Sequence, residues 1–159
     1  MRVVLLGDSH LARLQRALPR IGPDVVNAAV GGAVATDVAA QAVRVPVTPT
    51  DVVVLSIGTN DGMPVHAIAP ESVRAALTDV AARVRPARWV YLLPPLPESA
   101  AHGGAAVAAL DATGSLVVVD TPALLEPLGG GAFLPDGLHL TGEAYDVLLP
   151  VIAEAVRRD

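Results

Sequence analysis

The chain has 159 residues, carries a formal net charge of -5 and contains no cysteine. Its length fits a single domain, residues 1–159, and a domain of this size buries about 70% of the surface that its unfolded chain exposes. Without cysteine, disulfides, a thiol nucleophile and cysteine metal ligands are excluded. The acidic balance, with no basic run, argues against nucleic acid as a partner. All the basic residues are arginine, which excludes a Schiff-base lysine and a phosphate-loop lysine.

The apolar runs are too short to suggest a membrane protein. No uninterrupted run approaches the roughly 20 residues that cross a bilayer. The run after Met1 is shorter than a signal-peptide core and leads directly into polar residues. We therefore expect a non-secreted, cytoplasmic protein with no membrane partner.

In chain order, runs rich in Val and Leu predict strands at residues 3–6, 24–28, 51–57, 88–93 and 116–119, of which the second is the weakest. The runs are almost continuously apolar instead of alternating, as is typical of parallel strands covered on both faces. Between them, helical periodicity predicts helices at residues 11–18, 33–43, 71–84, about 101–111 and 141–157. The alternation predicts an α/β protein with a three-layer α/β/α sandwich.

Local signals set several boundaries. Ser9 can cap the first helix, Pro19 ends it, and Thr141 can cap the last helix. Segment 94–104 is rich in Pro, Ala and Gly, and we expect it to be mobile. Segment 129–131 is a glycine run and predicts a flexible loop.

Polar residues follow the first three predicted strands. Ser9 follows the first strand, Gly31 and Gly32 follow the second, and Asn60 follows the third. Ligands of open parallel sheets bind at the carboxyl ends of the strands. These loops are therefore expected to meet at one cleft.

Ser9 is the candidate nucleophile of this cleft. A serine hydroxyl needs a base to remove its proton and a third group to orient that base. His139 and Asp136, three residues apart before the last helix, can supply both. Taken alone, Ser9 would be a helix cap and His139 an ordinary histidine; the combination indicates acyl transfer.

An acyl oxyanion also needs hydrogen-bond donors. The backbone N–H groups of Ser9 and Gly32 and the side-chain amide of Asn60 could supply them, and loss of one such donor costs about 100- to 1000-fold in rate. The alternatives are that the glycines permit a tight turn and that Asn60 satisfies its own backbone. We expect Asp8 to brace the first turn and Asp61 to be structural.

Four segments, in this order, resemble the SGNH hydrolases, the superfamily of GDSL-type esterases and lipases. They are Gly7-Asp8-Ser9-His10, the run from Asn27 to Gly32, Gly58-Thr59-Asn60-Asp61, and Asp136-Gly137-Leu138-His139. The resemblance extends over most of the chain and implies a flavodoxin-like fold with a five-stranded parallel sheet. It also implies catalytic Ser9, Asp136 and His139, with Ser9, Gly32 and Asn60 forming the oxyanion hole. Gly32 is preferred to Gly31 because the family spacing from Asn27 fits it.

His10 departs from the pattern, because the family usually has Leu after the serine. Bacterial members with His at this position include domains that act on acetylated glycans, so His10 is expected to contact substrate. His66 and His102 are expected to be solvated. The four histidines lack metal-ligand spacing, and neither a metal nor a cofactor is predicted.

These observations predict a serine hydrolase that cleaves short-acyl carboxylic esters of small molecules through an acyl-enzyme. One alternative is a deacetylase or O-acyltransferase that acts on a sugar or natural product. Another, from a different class, is a non-catalytic flavodoxin-like binding module. The sequence carries no signal for oligomeric state.

Overall fold

The structure is a computed structural model that describes residues 1–158. Its strands are β1 (Val3–Gly7), β2 (Val25–Asn27), β3 (Val52–Ser56), β4 (Arg88–Leu92) and β5 (Leu116–Val119). They form one sheet in the order β2-β1-β3-β4-β5, and every neighbouring pair is parallel. The predicted five-stranded parallel sheet is confirmed.

Helices cover both faces of the sheet. They are α1 (Ser9–Ala12), α2 (Val38–Arg44), α3 (Pro70–Arg83), α4 (Ala100–Asp111), α5 (Thr121–Leu125) and α6 (Gly142–Arg157). Short 3-10 helices lie at Leu18–Arg20, Ala35–Asp37, Pro97–Ser99 and Glu126–Ala132. Residues of α1, α5 and α6 pack on one face, and residues of α2, α3 and α4 pack on the other. This is the predicted three-layer α/β/α sandwich.

The two faces explain the continuous apolarity of the strands. Successive side chains of a strand point to opposite faces. In β1, Val3 and Leu5 pack in the core beside α1 and α6, whereas Val4 and Leu6 pack in the core beside α2 and α3. All four are buried, so a polar residue at any of these positions would lose its hydration.

The strand order places a topological switch between β1 and β3. From β1 the chain adds β2 on one side, then returns to the other side of β1 to form β3. The connections that leave β1 and β3 therefore diverge to opposite faces and open a crevice at the carboxyl ends of these strands. Ser9 and Asn60 lie in the connections that leave these two strands.

The first helix differs from its prediction. It spans Ser9–Ala12 instead of residues 11–18, and Asp8, not Ser9, is its N-cap. The side-chain amide of Asn27 donates to the Leu11 carbonyl at 2.8 Å, and Leu14 N–H donates to the same oxygen at 3.0 Å. The bond from Leu14 spans three residues instead of the four of an α-helix, and the chain continues as tight turns.

Other segments predicted as loops are largely helical. The glycine run at residues 129–131 lies in the 3-10 segment Glu126–Ala132, which has a kink at Gly129 (φ 51°, ψ -133°), and α5 precedes it. Asp120 caps α5 by accepting from Ala123 N at 3.1 Å, a signal that the sequence contained. Most of segment 94–104, predicted to be mobile, lies in the 3-10 helix Pro97–Ser99 and the first turns of α4. The predicted Thr141 cap is confirmed, since its hydroxyl accepts from Ala144 N.

Candidate active site

The turn after β1 requires glycine at position 7. Gly7 has a φ of 122°, and a Cβ on it would lie 1.8 Å from the carbonyl oxygen of Ser56. No side chain fits there, because β1 and β3 are in direct contact at this point. Asp8 N donates to that same carbonyl at 2.9 Å, which turns the chain out of the sheet into α1.

Two polar side chains that the sequence did not single out hold this turn. Gln41 is buried and bonds both polar groups of Gly7: its Oε1 accepts from Gly7 N at 2.6 Å, and its Nε2 donates to Gly7 O at 2.8 Å. Ser56 donates its hydroxyl to Asp8 Oδ1 at 3.1 Å. The only sequence signal for Gln41 is its position in the apolar stripe of α2.

Asp8 fixes the start of α1, as expected for a residue that braces the turn. Its side chain is fully buried, and its Oδ1 accepts from His10 N at 3.1 Å. Ser9 is the first residue of the helix and is 9% exposed. The candidate nucleophile therefore lies on a constrained strand-to-helix turn.

Asp136 and His139 form the pair expected from their spacing. Asp136 Oδ1 accepts from the backbone N–H groups of Leu138 and His139, both at 2.9 Å, and Oδ2 lies 2.6 Å from His139 Nδ1. The side-chain bond to His139, followed by the backbone bonds, holds the pKa of Asp136 well below its usual range. An ionised carboxylate only accepts hydrogen bonds, so His139 Nδ1 carries a hydrogen and the neutral ring presents Nε2 as an acceptor.

Contacts made by His10 join this loop to α1. His10 Nε2 lies 3.2 Å from the carbonyl oxygen of Leu138, between the two paired residues in sequence. On the other side, Tyr145 of α6 donates its hydroxyl to His10 O at 2.8 Å. The hydrogen bonds found among residues 1–158 include none between the hydroxyl of Ser9 and His139, a contact that commonly tightens only when substrate binds.

Asn60 lies on the loop after β3 and is buried. Its amide Nδ2 donates to the carbonyl of Ala33 at 2.9 Å, which connects this loop to the one after β2. The neighbouring Asp61 makes a second connection by accepting from Ala35 N at 2.9 Å. Burial raises the pKa of Asp61, and its buried bond to the backbone agrees with a structural role.

The glycine pair after β2 lies on the surface in a tight turn. Ala33 N donates to Val30 O at 3.2 Å, so Gly31 and Gly32 are the two central residues. Gly32 has a φ of 78°, a left-handed conformation that favours glycine at the third position of a turn. The turn and the proposed oxyanion donor are compatible, since a turn of this kind exposes backbone N–H groups.

The expectation of a solvated His102 is wrong. The residue is buried on α4, and its Nε2 lies 2.7 Å from the carbonyl of Ile68. Ser99 contributes a second contact between the α4 region and the loop after β3, donating to Thr59 O at 3.3 Å. His66 is exposed, as expected.

The structure contains a small cavity beside His10. Its volume is about 10 Å³, and its walls include Ser56, Leu140 and Thr121. This is the scale of one water molecule. A cavity of about 450 Å³ lies elsewhere, against Trp89 and Ser115 at the amino ends of β4 and β5, which is the opposite edge of the sheet from Ser9.

Within residues 1–158, no helix combines the length and apolar character needed to cross a bilayer. The same part of the chain contains no group of three or more His, Asp or Glu side chains that could hold a metal ion.

A family model described as GDSL-like lipase/acylhydrolase matches residues 6–147. Among solved structures, a lipase/acylhydrolase from Enterococcus faecalis superposes with a TM-score of 0.71 at 21% identity, covering 97% of this chain and 94% of that one. A carbohydrate acetylesterase from Sinorhizobium meliloti gives 0.67 at 18% identity, covering 98% of each chain. The psychrotrophic esterase EstA from Pseudoalteromonas sp. gives 0.67 at 15% identity, covering 98% and 95%. At these identities the structures show a shared fold. No curated protein matches the chain.

Proposed function

The chain belongs to the GDSL-like lipase/acylhydrolase family, and on this premise we propose that it hydrolyses short-acyl carboxylic esters through an acyl-enzyme formed on Ser9. The family membership makes it a carboxylic ester hydrolase. The proposal concerns the mechanism, the residues that carry it and the size of the acyl group.

In the first half of the reaction, Ser9 Oγ attacks the ester carbonyl carbon while His139 Nε2 takes the hydroxyl proton. The tetrahedral intermediate collapses as His139 returns that proton to the leaving alcohol, which leaves the acyl group esterified to Ser9. Asp136 keeps Nδ1 protonated and stabilises the imidazolium that forms. The 2.6 Å contact between Asp136 and His139 supports this role.

In the second half, water replaces the alcohol. His139 removes a proton from the water as its oxygen attacks the acyl carbon, then delivers the proton to Ser9 Oγ as the carboxylic acid leaves. Asp136 is half-exposed and His139 partly exposed, so water can reach the pair. Since water is in large excess over any free alcohol, we propose hydrolysis instead of transfer to a second alcohol, which is the O-acyltransferase alternative.

We assign the negative oxygen of each intermediate to the backbone N–H groups of Ser9 and Gly32 and to the amide of Asn60. An amide nitrogen carries two hydrogens, and Ala33 O takes one of those on Asn60, which orients the second. Donors that are already oriented need no rearrangement as charge develops. In support, the backbone hydrogen bonds among residues 1–158 use neither of the two N–H groups.

The acyl group is proposed to be short because no lid domain is inserted between the strands and helices of the described residues, so we expect the cleft at the carboxyl ends of the strands to be open and shallow. An acetyl group needs no deep tunnel. A deacetylase acting on a sugar would share this preference and differ only in the alcohol.

The observation that carries the proposal is the Asp136–His139 pair, connected to the helix of Ser9 through the Leu138 carbonyl. The test is a series of nitrophenyl esters from acetyl to dodecanoyl, assayed with the wild-type protein and Ser9→Ala. We expect kcat/KM to be highest for the shortest acyl groups and Ser9→Ala to lose at least about 1000-fold. A maximum at long acyl groups contradicts the size assignment, and intact activity in Ser9→Ala contradicts the mechanism.

Products identify the acceptor. In the presence of added glycerol or a sugar, a hydrolase releases mostly free carboxylic acid, whereas an acyltransferase gives mostly the new ester. We expect the free acid to dominate, and a dominant new ester would establish the acyltransferase alternative.

A further inference from the structure

His10 is 4% exposed, although it was expected to contact substrate. Its ring is enclosed between its own helix and the loop that carries Asp136 and His139. The structure therefore gives little support to a direct substrate contact, and the surroundings of the ring suggest a different role.

The first part of this role is a hydrogen bond with a fixed direction. A backbone carbonyl only accepts, so His10 Nε2, 3.2 Å from Leu138 O, must carry the hydrogen. Leu138 directly precedes His139 in the chain. Ser9 directly precedes His10, so a single bond links the neighbour of the candidate nucleophile to the neighbour of the candidate base.

The second part is the way the other atoms of His10 are held. Its backbone N–H is bound by Asp8 Oδ1, and its carbonyl accepts the hydroxyl of Tyr145. Its Nδ1 lies 3.4 Å from Asp8 Oδ1, outside hydrogen-bond geometry but close enough for attraction between charges. The ring is thus fixed on one side before it meets Leu138.

The bond to Leu138 does not depend on the charge of the ring. Burial lowers the pKa of His10, and Arg13 lowers it further, but Asp8 and the Leu138 carbonyl raise it more, so the balance lies above the usual value. The protonated ring carries hydrogens on both nitrogens, and the neutral ring can keep its hydrogen on Nε2. Either form donates to Leu138.

We infer that His10 is a positioning residue that holds the loop of Asp136 and His139 against the helix of Ser9 by donating from Nε2 to the Leu138 carbonyl. The inference rests on the proposed function for its catalytic consequence. A displacement of about 1 Å at a catalytic group can cost about 100-fold in rate, so a single loop contact can matter.

A matched pair of variants separates the bond from the bulk of the side chain. In His10→Gln the amide nitrogen can occupy the place of Nε2, whereas in His10→Asn the shorter side chain brings its amide only as far as the place of Nδ1. Both variants carry a neutral side-chain amide, so they differ in the reach of the donor and not in its chemistry. Val80→Ala, in the core between the sheet and α3, is a control for lost stability at a distance from the site.

Amide hydrogen exchange of segment 134–140 is the direct readout. In this segment Leu134 N donates to His139 O at 2.7 Å, and Gly137 N donates to Leu134 O at 2.9 Å. We expect exchange of the segment to rise at least about tenfold in His10→Asn and to stay within about threefold of wild type in His10→Gln and Val80→Ala.

Steady-state kinetics give the second readout. We expect kcat in His10→Asn to fall about 10- to 100-fold with little change in KM, and His10→Gln to recover most of it. Equal exchange and equal kcat in the two His10 variants would overturn the inference. If wild type cleaves no ester while the exchange results hold, the proposed function fails and the loop contact stands. If Ser9-dependent activity is present but the His10 variants behave alike, the function stands and the inference fails.

Discussion

Replacing Asp136 with Asn is expected to move the hydrogen of the neutral His139 ring from Nδ1 to Nε2 while leaving the loop in place. The Asn amide oxygen can still accept from the backbone N–H groups of Leu138 and His139, which lie 2.9 Å from Oδ1 of Asp136 in the wild-type protein. Its NH2 group then faces His139 Nδ1, where a carboxylate oxygen lies at 2.6 Å. Because an NH2 group only donates, Nδ1 must lose its hydrogen and Nε2 must gain one. A protonated Nε2 cannot accept the Ser9 proton.

The expected loss in kcat is about 10⁴-fold, the scale seen when a serine hydrolase triad is held in the wrong tautomer. Stability should change little, because two of the three hydrogen bonds of Asp136 survive and its side chain is 47% exposed. Initial rates on a nitrophenyl acetate measure the first quantity, and thermal unfolding followed by circular dichroism measures the second.

Asp146→Asn is the matched control for the loss of one negative charge. Asp146 is exposed and pairs with Arg20, away from the Asp136 loop. Its variant should keep wild-type kcat. A kcat for Asp136→Asn within about tenfold of wild type would refute the assignment of Asp136 as the group that orients His139.

Two further substitutions test the frame of the site. Gly7→Ala places a Cβ 1.8 Å from Ser56 O, so urea denaturation should show that the free energy of unfolding falls by more than about 4 kcal/mol. The control is Gly114→Ala, where φ is 72° and no atom crowds the Cβ, and the expected loss is about 1 to 2 kcal/mol. Equal losses in the two variants would contradict the steric argument. The Arg2 guanidinium holds the pKa of Asp51 below its usual 3.8, so this pair stabilises the fold above that pH and the contribution is lost as the pH falls through the lower folded value. Unfolding free energies measured between about pH 2 and 5 should therefore rise less with pH in Asp51→Asn than in wild type, and an unchanged slope would contradict this attribution.

The sheet could be predicted from the sequence because its strands are buried on both faces. Burial on both sides makes runs such as residues 3–6 and 51–57 continuously apolar, and this signal does not depend on distant contacts. The cap at Thr141 was equally local, since the hydroxyl oxygen and the Ala144 N–H that donates to it are three residues apart.

The first helix and the buried polar contacts could not be predicted, because their partners lie far away in the chain. Asn27 engages the Leu11 carbonyl from 16 residues away, and Gln41 binds Gly7 from 34 residues away. His10 contacts Leu138, which is 128 residues away in the chain. The burial of His10 therefore could not be predicted from the motif, which shows only that it follows the candidate nucleophile. Such contacts follow from the packing of loops at one edge of the sheet.

The residues assigned to catalysis remain predictions, although the structure makes several of their relations explicit. The pairing of Asp136 with His139 followed from a spacing of three. The choice of Gly32 over Gly31 depends on the family spacing, since both lie in the same exposed turn.

The most direct test of the central claim is covalent labelling of the nucleophile. An activated serine attacks the phosphorus of an alkyl phosphonate ester, forming an Oγ–P bond as the leaving group departs with its electron pair. After incubation with such a phosphonate, peptide mass spectrometry should find one adduct, on Ser9, with Ser56, Ser72, Ser99 and Ser115 unmodified as internal controls. Labelling should be lost in Ser9→Ala and strongly slowed in Asp136→Asn. An unlabelled Ser9, or an adduct on another serine, would contradict the account.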